Sequence, residues 1–139
     1  MGITISSKRY RLDMGYGGFK RFRTIVSALV GEKFYTHYVS MDTPEISFLS
    51  GEKREEYFNN YNIKIQELIE KKEVTHEVAH FLYESDCEGK INRQQSKQIY
   101  ELIKNEDDNI CFGYIGRKDC AKMADMKNIF NDNTKIEWS

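Results

Sequence analysis

The chain has 139 residues, 40% hydrophobic and 13% aromatic, which suffices for one packed core and argues against disorder. Its 21 Lys and Arg against 22 Asp and Glu leave a net charge near zero, which speaks against a general nucleic-acid binder. No run is long and apolar enough for a membrane span, MGITISSKRY lacks the apolar core of an export signal, and there is no C-x-x-C pair; Cys87, Cys111 and Cys120 are therefore expected as free thiols in a cytoplasmic protein.

Residues 3–13, ITISSKRYRLD, alternate well enough for one extended strand, and MGYGG at 14–18 breaks it. FKRFRTIVSALV then places apolar residues at 19, 22, 25, 26, 29 and 30, a helical spacing. After Gly31, EKFYTHYVSM reads as a second short helix, and Thr43 with Pro44 suits the start of another. SGEKREEYFNNYNIKIQELIEKK gives the strongest helical pattern, with apolar residues at 57, 58, 61, 65, 68 and 69. VTHEVAHFLYE and INRQQSKQIYELIK are also expected as helices. NICFGYIG (109–116) is a short strand, KDCAKMADMKNIF a helix, and KIEWS a last strand. The expected architecture is α+β: a mostly helical single domain over residues 1–139, with a small antiparallel sheet from the N-terminal, 110s and C-terminal strands.

Charge is uneven along the chain. Residues 1–23 carry six bases (Lys8, Arg9, Arg11, Lys20, Arg21, Arg23) against Asp13, whereas residues 84–108 carry seven acids against four bases. One end is thus expected to attract anions.

Residues 76–80, HEVAH, fit the zinc pattern H-E-x-x-H, in which two imidazoles one helical turn apart hold the metal and the Glu activates its water. His76 and His80 would be ligands, Glu77 the base and Asp86 a third ligand. The extended form of the pattern fails, because Tyr83 stands where a Gly belongs and Asp86 where a His belongs. The helical wheel groups Val74, Val78, Phe81 and Leu82 as the core side and turns both histidines outward with Tyr83 and Glu84. Residues 84–95, ESDCEGKINRQQ, have the outline of a calcium loop, with Glu84, Asp86, Glu88, Asn92 and Gln95 at ligand positions. Gln95 cannot supply two charged oxygens, so calcium binding would be weak. A hinge accounts for the same residues: Gly89 allows a left-handed turn, Asn92 caps the next helix and Asp86 bonds backbone amides. No cofactor is expected on this reading; zinc is the alternative.

Two segments share a chemistry: GYGGFKRFR (15–23) and FGYIGRKDC (112–120). Each puts glycines and a Tyr beside cations. The first leads from a strand through a glycine turn into a helix, whose free N–H groups favour an anion. The expected ligand site is Gly15, Tyr16, Gly17, Gly18, Lys20, Arg21 and Arg23 together with Tyr114 and Arg117. The tyrosines would stack on a base and Arg117 would clamp an anion.

GYGGFKRFR, SDCEGKI and GRKDCAKMADMKNIF, in that order, resemble segments shared by small uncharacterised proteins of Gram-positive bacteria and their phages. The likeness covers most of the chain and brings no activity with it. It implies an accessory protein of a phage or mobile element. The expected function is therefore non-enzymatic binding of an anionic small molecule such as a nucleotide, or of a host protein. A small zinc-dependent metallopeptidase and an inhibitor acting purely through a protein interface are the alternatives.

Overall fold

The structure, a computed structural model, describes residues 2–115 and 119–139. The first segment is a hairpin rather than one strand: β1 (Gly2–Ser6) and β2 (Arg11–Gly15) pair antiparallel from Gly2 opposite Gly15 to Ser6 opposite Arg11. The Ser7 N–H closes the turn on the Tyr10 carbonyl at 2.9 Å. The inward apolar residues fall at odd positions in β1 and at even positions in β2, so the alternation changes phase across the turn. Ile3, Ile5, Leu12 and Met14 all face inward.

Helix α1 (Tyr16–Val30) starts directly after β2, three residues earlier than the glycines suggest. It is followed by α2 (Glu32–Val39), a 3₁₀ turn over Pro44–Phe48, α3 (Gly51–Glu70) and α4 (His76–Tyr83). Thr75 caps α4 by accepting from the Val78 N–H at 3.2 Å. Next come β3 (Gly89–Ile91), which the sequence did not suggest, and α5 (Arg93–Ile103). The remainder is β4 (Cys111–Ile115), β5 (Asp119–Lys122), α6 (Met123–Phe130) and β6 (Ile136–Trp138). KDCAKMADMKNIF is thus strand then helix. Asp119–Lys122 pairs with β4, and the Asp125 carboxylate accepts the Lys122 N–H at 3.0 Å, which fixes where α6 begins.

The fold is α+β. The main sheet has the order β2-β1-β6-β3, antiparallel throughout, and the 110s strand pairs with β5 in a separate two-stranded ribbon. The inner face of the main sheet meets the apolar stripes of α1, α4, α5 and α6 in one buried cluster with Trp138, Phe19, Phe22, Phe81 and Phe130. α3 is fastened more lightly: of its 20 residues only Tyr61 and Leu68 are buried. The Tyr61 and Tyr83 hydroxyls meet at 2.8 Å, and the His37 ring stacks on Tyr61 at 4.0 Å. Burial pushes the Tyr61 phenol up to about 12, so it stays a neutral hydrogen-bonding group at physiological pH.

Two neighbouring glycines in the first turn of α1 have opposite roles. A Cβ on Gly18 would run into the backbone carbonyl of Phe112, so this glycine is what lets β4 approach the helix. A Cβ on Gly17 would meet open space. In urea denaturation, Gly18→Ala is expected to cost about 2–3 kcal/mol. Gly17→Ala is expected to gain roughly 0.5–1 kcal/mol through helix propensity. Equal effects of the two changes would refute this packing argument.

Candidate functional site

The two glycine-rich segments do come together: the Arg21 guanidinium donates to the Cys111 carbonyl at 3.0 Å, and Gly18 lies against Phe112. Their cations make contacts within the chain: Lys20 and Arg21 at the surface, Arg23 in the interior. Lys20 pairs with Asp42 at 3.1 Å. Arg23 is 5% exposed; its two Nη atoms donate to the carbonyls of Glu84 (2.7 Å) and Ser85 (3.3 Å). Its guanidinium lies over Phe19 at 4.4 Å, with Phe81 and Trp138 at 5.3 and 5.4 Å. Nε of Arg23 is buried with no hydrogen-bond partner among the described residues, and desolvation lowers the guanidinium pKa from its ordinary value. Tyr16 is half-buried against the core, and Gly15 and Gly17 are exposed. The Tyr114 backbone belongs to β4, whereas Arg117 lies outside the described residues.

Arg23 therefore joins the segment 15–23 to the loop that follows α4. Trp138 ties the same loop, its Nε1–H donating to the Ser85 carbonyl at 2.8 Å. Gly89 does not turn left-handed as expected; the Trp138 ring and the Glu84 side chain occupy the place a Cβ would need. Ser85, not Asp86, serves the loop backbone, its Oγ accepting from the Cys87 N–H at 3.2 Å.

α4 buries Val78, Ala79, Phe81 and Leu82 and leaves His76 and His80 exposed, the orientation the helical wheel gives. His80 Nε2 lies 3.3 Å from a Glu84 oxygen, and the Glu77 carbonyl accepts from Gln95. Among the described residues no three metal-ligating side chains converge. In the calcium-like loop, Asn92 and Gln95 are occupied with each other's backbone N–H groups at 2.8 and 2.9 Å, a capping box that starts α5.

Of the six bases in residues 1–23, Lys8, Arg9 and Arg11 lie at the first hairpin. A groove of about 460 Å³ is lined there by Thr4, Ser6, Lys8, Arg9, Arg11 and Glu137 among others. Lys8 and Arg11 are exposed and make no ion pair among the described residues, and Glu137 is balanced by Lys135 at 3.1 Å. The turn is held from beneath by Asp132, whose side chain is 1% exposed. Its carboxylate accepts from the Ser7 hydroxyl (2.7 Å), the Arg9 N–H (2.8 Å) and Arg9 Nε (2.5 Å). Thr134 accepts the Lys8 N–H at 3.2 Å. One edge of the Arg9 guanidinium is thus fixed while the rest of the side chain, 68% exposed, borders the groove. Burial alone would raise the Asp132 pKa, but the hydrogen bonds from Ser7 and Arg9 outweigh it and bring it down to about 2. The sequence carried a hint of this site in the unbroken polar run Ser6-Ser7-Lys8-Arg9, which a half-buried strand does not tolerate.

Comparison with protein-family models, with curated proteins and with solved structures finds no match.

Two predictions follow from these geometries. Arg23→Ala should cost about 3 kcal/mol in urea denaturation, because two carbonyls lose their donors and three rings lose their neighbour. Arg23→Lys should recover less than half of that, since an ammonium cannot bridge both carbonyls while stacking; a neutral Arg23→Ala would overturn the structural role. Asp132 has a folded pKa below its ordinary 3.8, so its contribution is complete above about pH 4 and is lost as pH falls toward 2. Asp132→Asn should therefore lower stability at neutral pH and flatten the decline between pH 4 and 2. A variant whose stability runs parallel to the parent across that range would contradict the assignment.

Proposed function

We propose that this chain is a non-enzymatic binding protein for an anionic group, with the groove beside the first hairpin as its contact surface. The observation that carries this reading is the arrangement around Asp132. A buried carboxylate fixes the turn and one edge of Arg9, while Lys8 and Arg11, with no ion-pair partner among the described residues, border the same groove. Fixing a cation in advance lowers the ordering cost of binding, and an excess of positive charge speeds the approach of an anion. The ligand class is a phosphate-bearing small molecule such as a nucleotide; an acidic surface of a host protein is the macromolecular counterpart. This placement sets aside Arg23, which is buried, and prefers the hairpin cations to Lys20 and Arg21, which are exposed but bonded to Asp42 and the Cys111 carbonyl away from the groove. A role as a phage or mobile-element accessory in the cytoplasm goes with this reading. No helix of the described residues is long and apolar enough to cross a membrane.

Thermal shift against a nucleotide panel, pyrophosphate and inorganic phosphate tests it. A ligand at about 100 times its Kd should add roughly 2.7 kcal/mol of stability and raise Tm by several degrees. Lys8→Ala combined with Arg11→Ala should remove the rise, and added salt should weaken it. Arg21→Ala should leave it in place. If no anion shifts Tm, the reading fails, and interface-only inhibition becomes the better account. The exposed Phe48 (83%) and Ile63 (58%) would then be the surface to vary.

A further inference from the structure

Cys111 and Cys120, expected as free thiols, form a disulfide across the β4–β5 ribbon, and Cys87 alone is free and exposed. The pairing is diagonal. Cys111 stands opposite Lys122, and Cys120 opposite Tyr114. Diagonal neighbours in a regular ladder lie about 7–8 Å apart, beyond ordinary disulfide reach. Here the register shifts between Cys111 and Tyr114, where β4 holds one residue more than β5. Gly113, at φ +95° in the left-handed region, lies within that bulge. The bulge draws the two Cα atoms to 6.1 Å. Both cysteines are half-buried, so a small reductant can reach the bond, unlike one sealed in a core.

We propose that this bond is a reversible redox clasp that controls how firmly the ribbon and the first half of α1 are held. A two-stranded ribbon is marginal on its own. This one is anchored by Phe112 and Ala121, both buried, and by its contacts with α1 and β2. Those contacts flank the disulfide: Arg21 donates to the carbonyl of Cys111 itself, and Gly18 abuts the carbonyl of the next residue. Loosening β4 therefore loosens the turn of α1 that carries Gly18 and Arg21. Within the main sheet the ribbon touches the edge strand β2, whereas β1 and β6, paired with each other and with β2 and β3, lie beyond that contact. The chemistry is thiol–disulfide exchange with a small dithiol. One thiolate of the dithiol attacks a sulfur of the bond, and the other cysteine leaves as a thiolate and takes a proton. The second thiol of the reagent then displaces the mixed disulfide. Two cysteine thiols and one oxidised reagent result, with two electrons transferred. In a reducing compartment such a bond is transient and regulatory, which makes it compatible with a cytoplasmic location.

The experiment uses the full chain carrying Cys87→Ser, with dithiothreitol as reductant. Alkylation before reduction should label no cysteine, and after reduction both Cys111 and Cys120. Hydrogen exchange should then accelerate about tenfold in 111–115, 119–122 and the first half of α1, with β1 and β6 unchanged. Tm should fall by roughly 5–10 °C. A Cys111→Ser, Cys120→Ser double variant should match the reduced protein and ignore the reductant. Labelling before reduction would show that the bond does not form. Unchanged exchange after reduction would show that it clasps nothing. Loss of protection throughout the chain would make it a folding staple rather than a switch. Each of these three results overturns the proposal.

Discussion

One side chain decides how the two halves of this chain meet. Arg23 projects from α1 into an aromatic box of Phe19, Phe81 and Trp138, where its charge cannot reach water. A guanidinium in that position needs oxygen acceptors, and the chain after α4 supplies them with the carbonyls of Glu84 and Ser85. Trp138 reaches the same Ser85 carbonyl from β6. Two elements distant in sequence, α1 and β6, thus converge on one peptide segment. The close fit of Gly89 beneath the indole follows from that convergence.

The first hairpin repeats the same physics with the sign reversed. Asp132 is a buried carboxylate whose needs are met by Ser7 and Arg9, and satisfying it is what shapes the turn. In both places a buried charge dictates backbone geometry around itself. The difference lies in what is left over. Around Arg23 the acceptors are spent and the rings are packed. Around Asp132 the organised turn presents cations outward, which is why the binding proposal rests there and not at the glycine-rich start of α1.

The helices were legible because their apolar residues recur with a 3.6 period strong enough to survive loops of any length. The outward turn of His76 and His80 was readable for the same reason: Val78, Phe81 and Leu82 admit one orientation of α4. The strands were harder. Gly89–Ile91 is too short to show a period, and its pairing with β6 spans more than forty residues. Asp119–Lys122 has helix-forming residues that tertiary pairing overrides. Arg23 was expected in the ligand site although it lies on the same buried stripe as Phe19, Phe22 and Val26. A charge at a core position of an amphipathic helix is a signal, and here it marked a structural residue, not a ligand contact. The disulfide left no trace at all, since nine residues of separation do not reveal a bulge.

The order β2-β1-β6-β3 leaves two edges to the main sheet, and both discourage extension by a further strand. β3 offers three residues with Lys90 at their middle, and β2 carries Arg11 and Asp13 on its outer side. Short, charged borders of this kind oppose edge-to-edge growth. A macromolecular companion would therefore have to grip side chains and turns rather than continue the ladder of backbone hydrogen bonds. For such a companion the sheet would matter through the shape it imposes, not as a template for a foreign chain.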